Sequence, residues 1–255
     1  MVSSHGLNPQ PVERLGKKLN DYYRILLGSS VKNQFFRLCH MQYLIIKNRH
    51  SLKTIIIDTF STRAFWYALV SAITAKFLGI KYILFLHGGN LGHRANKNEF
   101  ILKNLLLHAH KVVCPSGFLE DLMHDICPRD YHIIPNMIDL SMFIPKEKKV
   151  EKKINILWVR ALHEMYNPKM AIDVVRFISE KNIDVHMFMV GPDKDNLQNK
   201  LLKYCKKTGI DKLITFTGRL KTSDWVELSH NCNFFINTTF IDNTPLSVIE
   251  SMALG

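Results

Sequence analysis

Phe234-Phe235-Ile236-Asn237-Thr238-Thr239-Phe240-Ile241-Asp242-Asn243-Thr244-Pro245-Leu246-Ser247-Val248-Ile249-Glu250-Ser251-Met252-Ala253-Leu254-Gly255 is the stretch from which the rest of the sequence is best read. It opens with an apolar run of buried-strand type and turns at Asp242-Asn243. It restarts with Thr244 placed to cap a helix and Pro245 at the first helical position, where a missing N–H costs nothing. Leu246, Val248, Ile249, Met252, Ala253 and Leu254 make that helix apolar nearly all round, so burial on most sides is expected, yet Glu250 in its second turn needs a polar partner. Asp242 lies just before the cap, and the backbone N–H groups of Asn243 to Ser247 would form an anion site at the helix start. Carboxylates accept from sugar hydroxyls and amides donate to phosphate oxygens, so two acids bracketing such a site suit a ligand with hydroxyls on either side of a phosphate. A nucleotide-sugar has that layout. The competing reading makes Asp242 a turn cap and puts Glu250 on a solvated strip with Ser247 and Ser251.

The same alternation of strand and helix runs through the rest of the chain. Strands are expected at Thr54 to Asp58, Lys81 to Leu86, Lys111 to Cys114 and His132 to Ile134, with helices at Ser61 to Leu78, Asn98 to His110 and Ser116 to Cys127. From Pro135 to Lys153 the pattern lapses, ending in the charge run Lys146-Glu147-Lys148-Lys149-Val150-Glu151-Lys152-Lys153. It then resumes with strands at Ile154 to Val159, Val185 to Val190, Leu213 to Thr217 and Asn233 to Asn237. Helices are expected at Pro168 to Glu180, Asp195 to Lys207, Ser223 to Ser229 and from Pro245 onward. The expected class is α/β, with two doubly wound parallel-sheet domains: residues 1–135, a linker at 136–153, and residues 154–255.

A chain of 255 residues with 47% hydrophobic residues has enough apolar surface for such cores. The balance of 34 basic against 22 acidic residues gives a net charge of +12 and favours anionic partners. A nucleic-acid-binding protein is weighed and set aside, because the lysines and arginines are spread over all segments rather than gathered on one. The five cysteines (Cys39, Cys114, Cys127, Cys205, Cys232) form no Cys-x-x-Cys pair and read as reduced thiols of a cytoplasmic protein. Met1 to Pro11 lacks the apolar core of a signal peptide, and the longest apolar run, Ala64 to Ile80, contains Lys76 and reads as a buried helix rather than a span. The segment Arg14 to Lys47 mixes Lys17, Lys18, Arg24, Lys32, Arg37 and Lys47 with Tyr22, Tyr23, Phe35 and Phe36. It is either a peripheral contact with the membrane inner face or a basic solvated face over a core stripe.

Asp242 to Gly255 resembles the acid-x7-acid signature of retaining GT-B glycosyltransferases of family 4, in which two glutamates flank a glycine-containing segment and a Glu-Ala-Met-Ala-x-Gly run follows. Here the first acid is Asp242, Asn243-Thr244-Pro245 replaces the glycine segment, and Ser251 replaces an alanine. Ile156-Leu157-Trp158-Val159-Arg160 is similar to the strand and arginine that open the family's nucleotide domain. Met189-Val190-Gly191-Pro192 and Phe216-Thr217-Gly218-Arg219-Leu220 are similar to its next strands. Pro135-Asn136-Met137-Ile138-Asp139 with Phe143 resembles the entry to its linker. The resemblance implies a GT-B fold of two Rossmann-like domains facing a cleft. Against the family pattern the second domain is expected to be incomplete after Gly255, and the first to lack most of its opening strand and glycine-rich loop.

The resemblance also implies roles. Arg160, at a strand's C-terminal end, would stabilise the departing diphosphate, Glu250 would hold the ribose hydroxyls, and Asp242 would orient the donor sugar. Asn243, Thr244, Pro245 and Leu246 would supply the rest of the donor site. The family's lysine five residues after the arginine is Met165 here, and Lys169 is the available substitute, offset by about one helical turn. His87, which ends an apolar strand, would contact the donor sugar, and Gly88, Gly89 and Asn90 would face the acceptor. A structural histidine and a plain surface loop are the alternatives.

Metal and cofactor motifs are missing. The histidines show no His-Glu-x-x-His, Asp193-Lys194-Asp195 reads as a helix start rather than a metal-binding Asp-x-Asp, and neither Gly-x-Gly-x-x-Gly nor a Gly-Lys-Ser/Thr phosphate loop occurs. The function expected is metal-independent transfer of a sugar from a nucleotide-diphosphate sugar, a co-substrate rather than a cofactor, to a glycan or lipid-linked acceptor with retention. Polysaccharide biosynthesis is the expected setting. The alternative is a non-catalytic nucleotide-sugar-binding or partner-binding remnant of the same fold.

Overall fold

The computed structural model describes residues 11–87, 91–136, 138, 140–147 and 152–255. The chain divides into two compact units, the first up to residue 137 and the second from Ile138 to Gly255.

Unit 1 contains α1 (Pro11–Leu19), α2 (Gln34–Lys47), β1 (Thr54–Phe60), α3 (Phe65–Phe77), β2 (Lys81–His87), α4 (Leu91–Leu107), β3 (Lys111–Cys114), α5 (Gly117–Ile126) and β4 (His132–Ile133). The strands form one parallel sheet in the order β1-β2-β3-β4. Parallel strands covered on both faces favour continuous apolar runs, which is why Ile55-Ile56-Ile57 and Ile83-Leu84-Phe85-Leu86 read as they do. Leu84, Leu86, Leu102, Leu106, Leu119 and Met123 are fully buried in its core. Local chemistry fixes the helix starts: Asn33 Oδ1 accepts from the amides of Phe35 (3.0 Å) and Phe36 (3.2 Å), and Ser116 Oγ from that of Leu119. Two elements depart from the sequence expectation. The apolar run 64–80 forms α3, but its outer side leaves Trp66, Ile73 and Phe77 exposed, so it is buried on one face only. A helical stretch that was not expected runs from Leu91 up to Asn98, whose non-helical backbone (φ −144°, ψ 43°) breaks α4 at the residue from which the helix was expected, Asn being favoured at a helix start.

Unit 2 contains β5 (Ile154–Val159), α6 (Pro168–Ser179), β6 (Val185–Val190), α7 (Gln198–Lys207), β7 (Ile214–Gly218), α8 (Thr222–Ser229), β8 (Phe234–Phe235) and α9 (Leu246–Leu254). Its parallel sheet runs β7-β6-β5-β8. The segment 136–153, expected as a linker, is partly built into this unit: Phe143 is buried beside Trp225 (ring centroids 5.7 Å apart), and Ile138 packs against the same cluster. The strand expected at 233–237 shortens to two residues with Phe234 exposed, because in the described sheet it pairs with β5 alone. The helix expected from Asp195 starts at Gln198, and Asp193 stands before it with its carboxylate accepting from the amides of Leu197 (2.8 Å) and Gln198 (3.2 Å).

Gly191 directly follows β6, beside the backbone of Arg160 that directly follows β5. Its φ is +152°, and a Cβ there would stand 1.8 Å from the Arg160 carbonyl oxygen, so no side chain fits without moving the backbone that carries Arg160. Gly191→Ala is expected to lower the stability of unit 2 by about 3 kcal/mol, read from urea unfolding; an unchanged midpoint would refute the close approach. The thiols give a second check. Burial pushes Cys114 up to about 12 and Cys205 up to about 11, whereas Cys39 is exposed. Iodoacetamide at pH 8 is therefore expected to alkylate Cys39 in the native chain and to reach Cys114 and Cys205 only on unfolding, as peptide mass mapping would show.

Candidate functional site

The strand order of unit 2 reverses at β5. From β5 the chain moves outward to β6 and β7, then returns to place β8 on the other side. In open parallel sheets, ligands bind outside the carboxyl ends of the strands at such a reversal. Two segments meet there: residues 160–167 after β5 and residues 236–245 after β8. They are stitched together by Trp158 Nε1 donating to Thr238 Oγ1 (3.1 Å), by Thr238 Oγ1 donating in turn to the carbonyls of Tyr166 and Asn167 (2.9 Å each), and by the Phe240 amide donating to the Met165 carbonyl (3.0 Å).

Arg160 and Asp242 sit on these two segments, and the guanidinium Nη2 of Arg160 donates to Asp242 Oδ2. Their side chains are only 15% and 23% exposed, so the pair is poorly screened by solvent. The Arg160 guanidinium also lies 5.1 Å from the Tyr166 ring centroid, a cation–π contact that holds its plane. Its Nε is buried and has no hydrogen-bond partner among the described residues. Asp242 spends its other oxygen, Oδ1, on the Asn243 amide (2.8 Å), so that amide, read from the sequence as part of an anion site, is already taken.

The helix that follows starts one residue later than expected. α9 begins at Leu246, with Pro245 extended (φ −71°, ψ 103°) in the cap position and Thr244 one residue before it. The cap residue itself, Pro245, makes no side-chain hydrogen bond to the first turn of α9. Ser247 is 7% exposed and its Oγ, like that of Ser251 one turn on, has no hydrogen-bond partner among the described residues. Glu250 is half-buried on the same helix.

Lys169 takes a different position. Its ammonium donates to Asp173 (2.8 Å) and Tyr204 (3.3 Å) and lies 4.4 Å from the Tyr204 ring centroid, on the surface shared by α6 and α7. The hydrogen bonds from Asp173 and Tyr204 raise its pKa. Burial pulls Asp173 upward, but the hydrogen bonds from Lys169 and Tyr204 outweigh it and hold the carboxyl below its usual range. His163, unremarked in the sequence, lies 3.5 Å from Asp195 across the loops after β5 and β6.

In unit 1, His87 ends β2 and is 9% exposed. Its Nε2 lies 2.8 Å from Asp58 Oδ1, and its ring stacks on Phe60 with centroids 4.9 Å apart. β1 and β2 run in parallel register, Asp58 opposite Phe85 and Phe60 opposite His87, so the pairing of the sheet brings the three side chains together. Asp58 was not singled out from the sequence. An acid at the carboxyl end of a triple-isoleucine strand was the available signal. Gly88, Gly89 and Asn90 lie outside the described residues. Among the described residues no group of three or more His, Cys, Asp or Glu side chains is placed to hold a metal ion, and no helix is long and apolar enough to cross a membrane.

Comparison with known proteins places these sites in a family. Residues 9–142 match the model for Glycosyltransferase Family 4, and residues 142–255 match that for Glycosyl transferases group 1. The chain is 24% identical over 177 residues to an alpha-monoglucosyldiacylglycerol synthase of Streptococcus pneumoniae, a match covering 64% of this chain and 40% of that protein. Among solved structures it superposes on HepE from Anabaena in complex with UDP, with a TM-score of 0.76 at 16% identity over 99% of this chain and 77% of that one. The UDP-glucose complex of the same protein gives a TM-score of 0.72 at 16% identity over 93% of this chain and 67% of that one. The chain thus spans well under half the length of the curated relative it matches. With its two parallel-sheet α/β units and a family match over more than half its length, this chain has the GT-B fold and belongs to glycosyltransferase family 4.

Proposed function

We propose that this chain binds a nucleotide-diphosphate sugar in unit 2 and takes part in transferring its sugar, with retention of configuration, to a glycan or lipid-linked acceptor. The observation that carries this reading is the Arg160–Asp242 pair at the strand-order reversal, on the segment that leads into α9. A guanidinium with a buried, unpartnered Nε and a helix end with a buried, unpartnered Ser247 hydroxyl supply donors and positive potential for a diphosphate. Glycosyl transfer builds negative charge on the departing nucleotide, and fixed donors of this kind stabilise that charge in place of a metal ion. HepE binds UDP and UDP-glucose, which supports the donor class.

Within this reading Arg160 neutralises the leaving diphosphate, Glu250 accepts from the ribose hydroxyls, and Asp242 orients both Arg160 and the sugar. Asn243, Thr244, Pro245 and Leu246 shape the turn around them. Lys169 contributes only by holding α6 against α7. His87 contacts the transferred sugar, with Asp58 fixing its ring. By accepting from Nε2–H, Asp58 puts the ring proton on Nε2 and makes Nδ1 the acceptor nitrogen. Peripheral membrane contact belongs to the same proposal, since Tyr22, Tyr23, Phe35 and Phe36 are each more than 60% exposed among the basic residues of segment 14–47.

Two experiments test it. UDP and other nucleoside diphosphates at a hundredfold over Kd are expected to stabilise the chain by about 2.7 kcal/mol in a thermal scan. Glu250→Ala should abolish that gain with the unliganded midpoint unchanged, whereas retained stabilisation would remove Glu250 from the site. Binding without turnover would favour the non-catalytic alternative. In an active form, Asp58→Asn lets an amide N–H face Nε2 and reverses the tautomer of His87. Turnover is then expected to fall roughly ten- to a hundredfold with the donor KM little changed. Wild-type turnover in this variant would contradict the role given to the pair.

A further inference from the structure

Ile236, Thr238, Phe240 and Asp242, alternate residues of the segment after β8, each bond to β5 or to the loop that follows it. The Ile236 amide donates to the Leu157 carbonyl and the Phe240 amide to that of Met165, both at 3.0 Å. Any residue but proline could supply those two bonds. Thr238 and Asp242 act through their side chains, so at these positions the residue type decides the contact. The Thr238 hydroxyl works in both directions. Its oxygen accepts from the indole N–H of Trp158 (3.1 Å), a side chain with no exposed surface, so that N–H has no water to turn to. Its proton goes to the carbonyls of Tyr166 and Asn167, 2.9 Å away in each case, and fixes the turn where the loop after β5 enters α6. Asn167 holds that turn in the left-handed region (φ 46°, ψ 55°), and its side chain accepts from the Met170 amide at the helix start. Tyr166, tied by its carbonyl, lays its ring 5.1 Å from the Arg160 guanidinium. The contacts close a circuit: Thr238 to the Tyr166 backbone, the Tyr166 ring to Arg160, Arg160 to Asp242, and Asp242 back along the chain to Thr238.

We infer that Thr238 is a positioning residue for Arg160: without touching the donor, its hydroxyl sets both groups that aim the guanidinium, the Tyr166 ring and the Asp242 carboxylate. Its effect on donor binding rests on the reading of Arg160 as the diphosphate ligand; the positioning itself does not. A guanidinium serves a diphosphate best when its donors are aimed before the ligand arrives, because a side chain free to swing loses rotamer entropy on binding. Valine has the shape of threonine but no hydroxyl. At position 238 it fills the same space and removes both the acceptor for the Trp158 N–H and the donor to the two carbonyls. Serine keeps both.

The test titrates UDP and uridine calorimetrically into the full chain. Thr238→Val, with a native circular dichroism spectrum, should weaken UDP about tenfold and leave uridine within about twofold, because only the diphosphate meets Arg160. Thr238→Ser should return UDP to within about threefold of wild type. Thr208→Val is the matched control. The Thr208 hydroxyl also donates to two carbonyls, those of Tyr204 (2.9 Å) and Cys205 (3.2 Å), but it does so at the end of α7, and its loss should leave UDP affinity unchanged. Trp158→Phe removes only the donor to Thr238, should weaken UDP about threefold, and serves if the valine variant does not fold. A urea-unfolding cycle of Thr238→Val with Asp242→Asn needs no ligand. In the valine background Asp242→Asn should change the unfolding constant about fivefold less than in wild type. Wild-type UDP affinity in the valine or phenylalanine variant, equal loss of UDP and uridine, equal loss in Thr208→Val, no recovery with serine, or an additive cycle would each overturn the proposal. A wild-type chain that does not bind UDP would remove the donor reading, and the cycle would still decide the positioning role.

Discussion

A parallel sheet sends the carboxyl end of every strand to the same edge, and each helix must carry the chain back before the next strand can begin. That constraint organises both units. In unit 2 it brings the loops after β5, β6 and β8 onto one rim, and the reversal of strand order at β5 opens a space where no crossover helix lies between two of those loops. Arg160 and Asp242, 82 residues apart in sequence, become hydrogen-bonded neighbours as a result.

The pair is a demanding arrangement to maintain. Both side chains are largely buried, and removing one partner from a buried pair leaves an uncompensated charge at a cost of about 3–5 kcal/mol. The surroundings supply what the pair needs: Tyr166 under the guanidinium, the Asn243 amide on Asp242, and the Trp158–Thr238 contact that holds the two loops together. Gly191 lets the loop after β6 approach the Arg160 backbone closely enough to complete the rim. Among the buried groups without a hydrogen-bond partner in the described residues are Arg160 Nε, in the pair itself, and the Ser247 hydroxyl in the first turn of α9, alongside others elsewhere such as Arg129 Nε and Gln42 Oε1. Buried donors without partners are uncommon in folded proteins, and a ligand with acceptor oxygens would use them.

Unit 1 applies the same geometry to different ends. The register of β1 against β2 sets Asp58 and Phe60 around His87.

The sequence by itself determined the element order and class, because the periodicities that mark strand and helix are local and survive in any tertiary setting. Ile55-Ile56-Ile57, Ser116 at the start of α5 and Pro168 at the start of α6 each read correctly from a few neighbouring residues. The spacing of Asp242 and Glu250 was equally visible, as was the family likeness it carries. Only the tertiary structure decided which groups meet. It joined Arg160 to Asp242 and His87 to Asp58, drew Lys169 to Asp173 and Tyr204, exposed one face of α3 and absorbed Phe143 into the second core. Strand order, register and the helix that lies beside a given residue depend on contacts between distant segments, and no local pattern of residues encodes them.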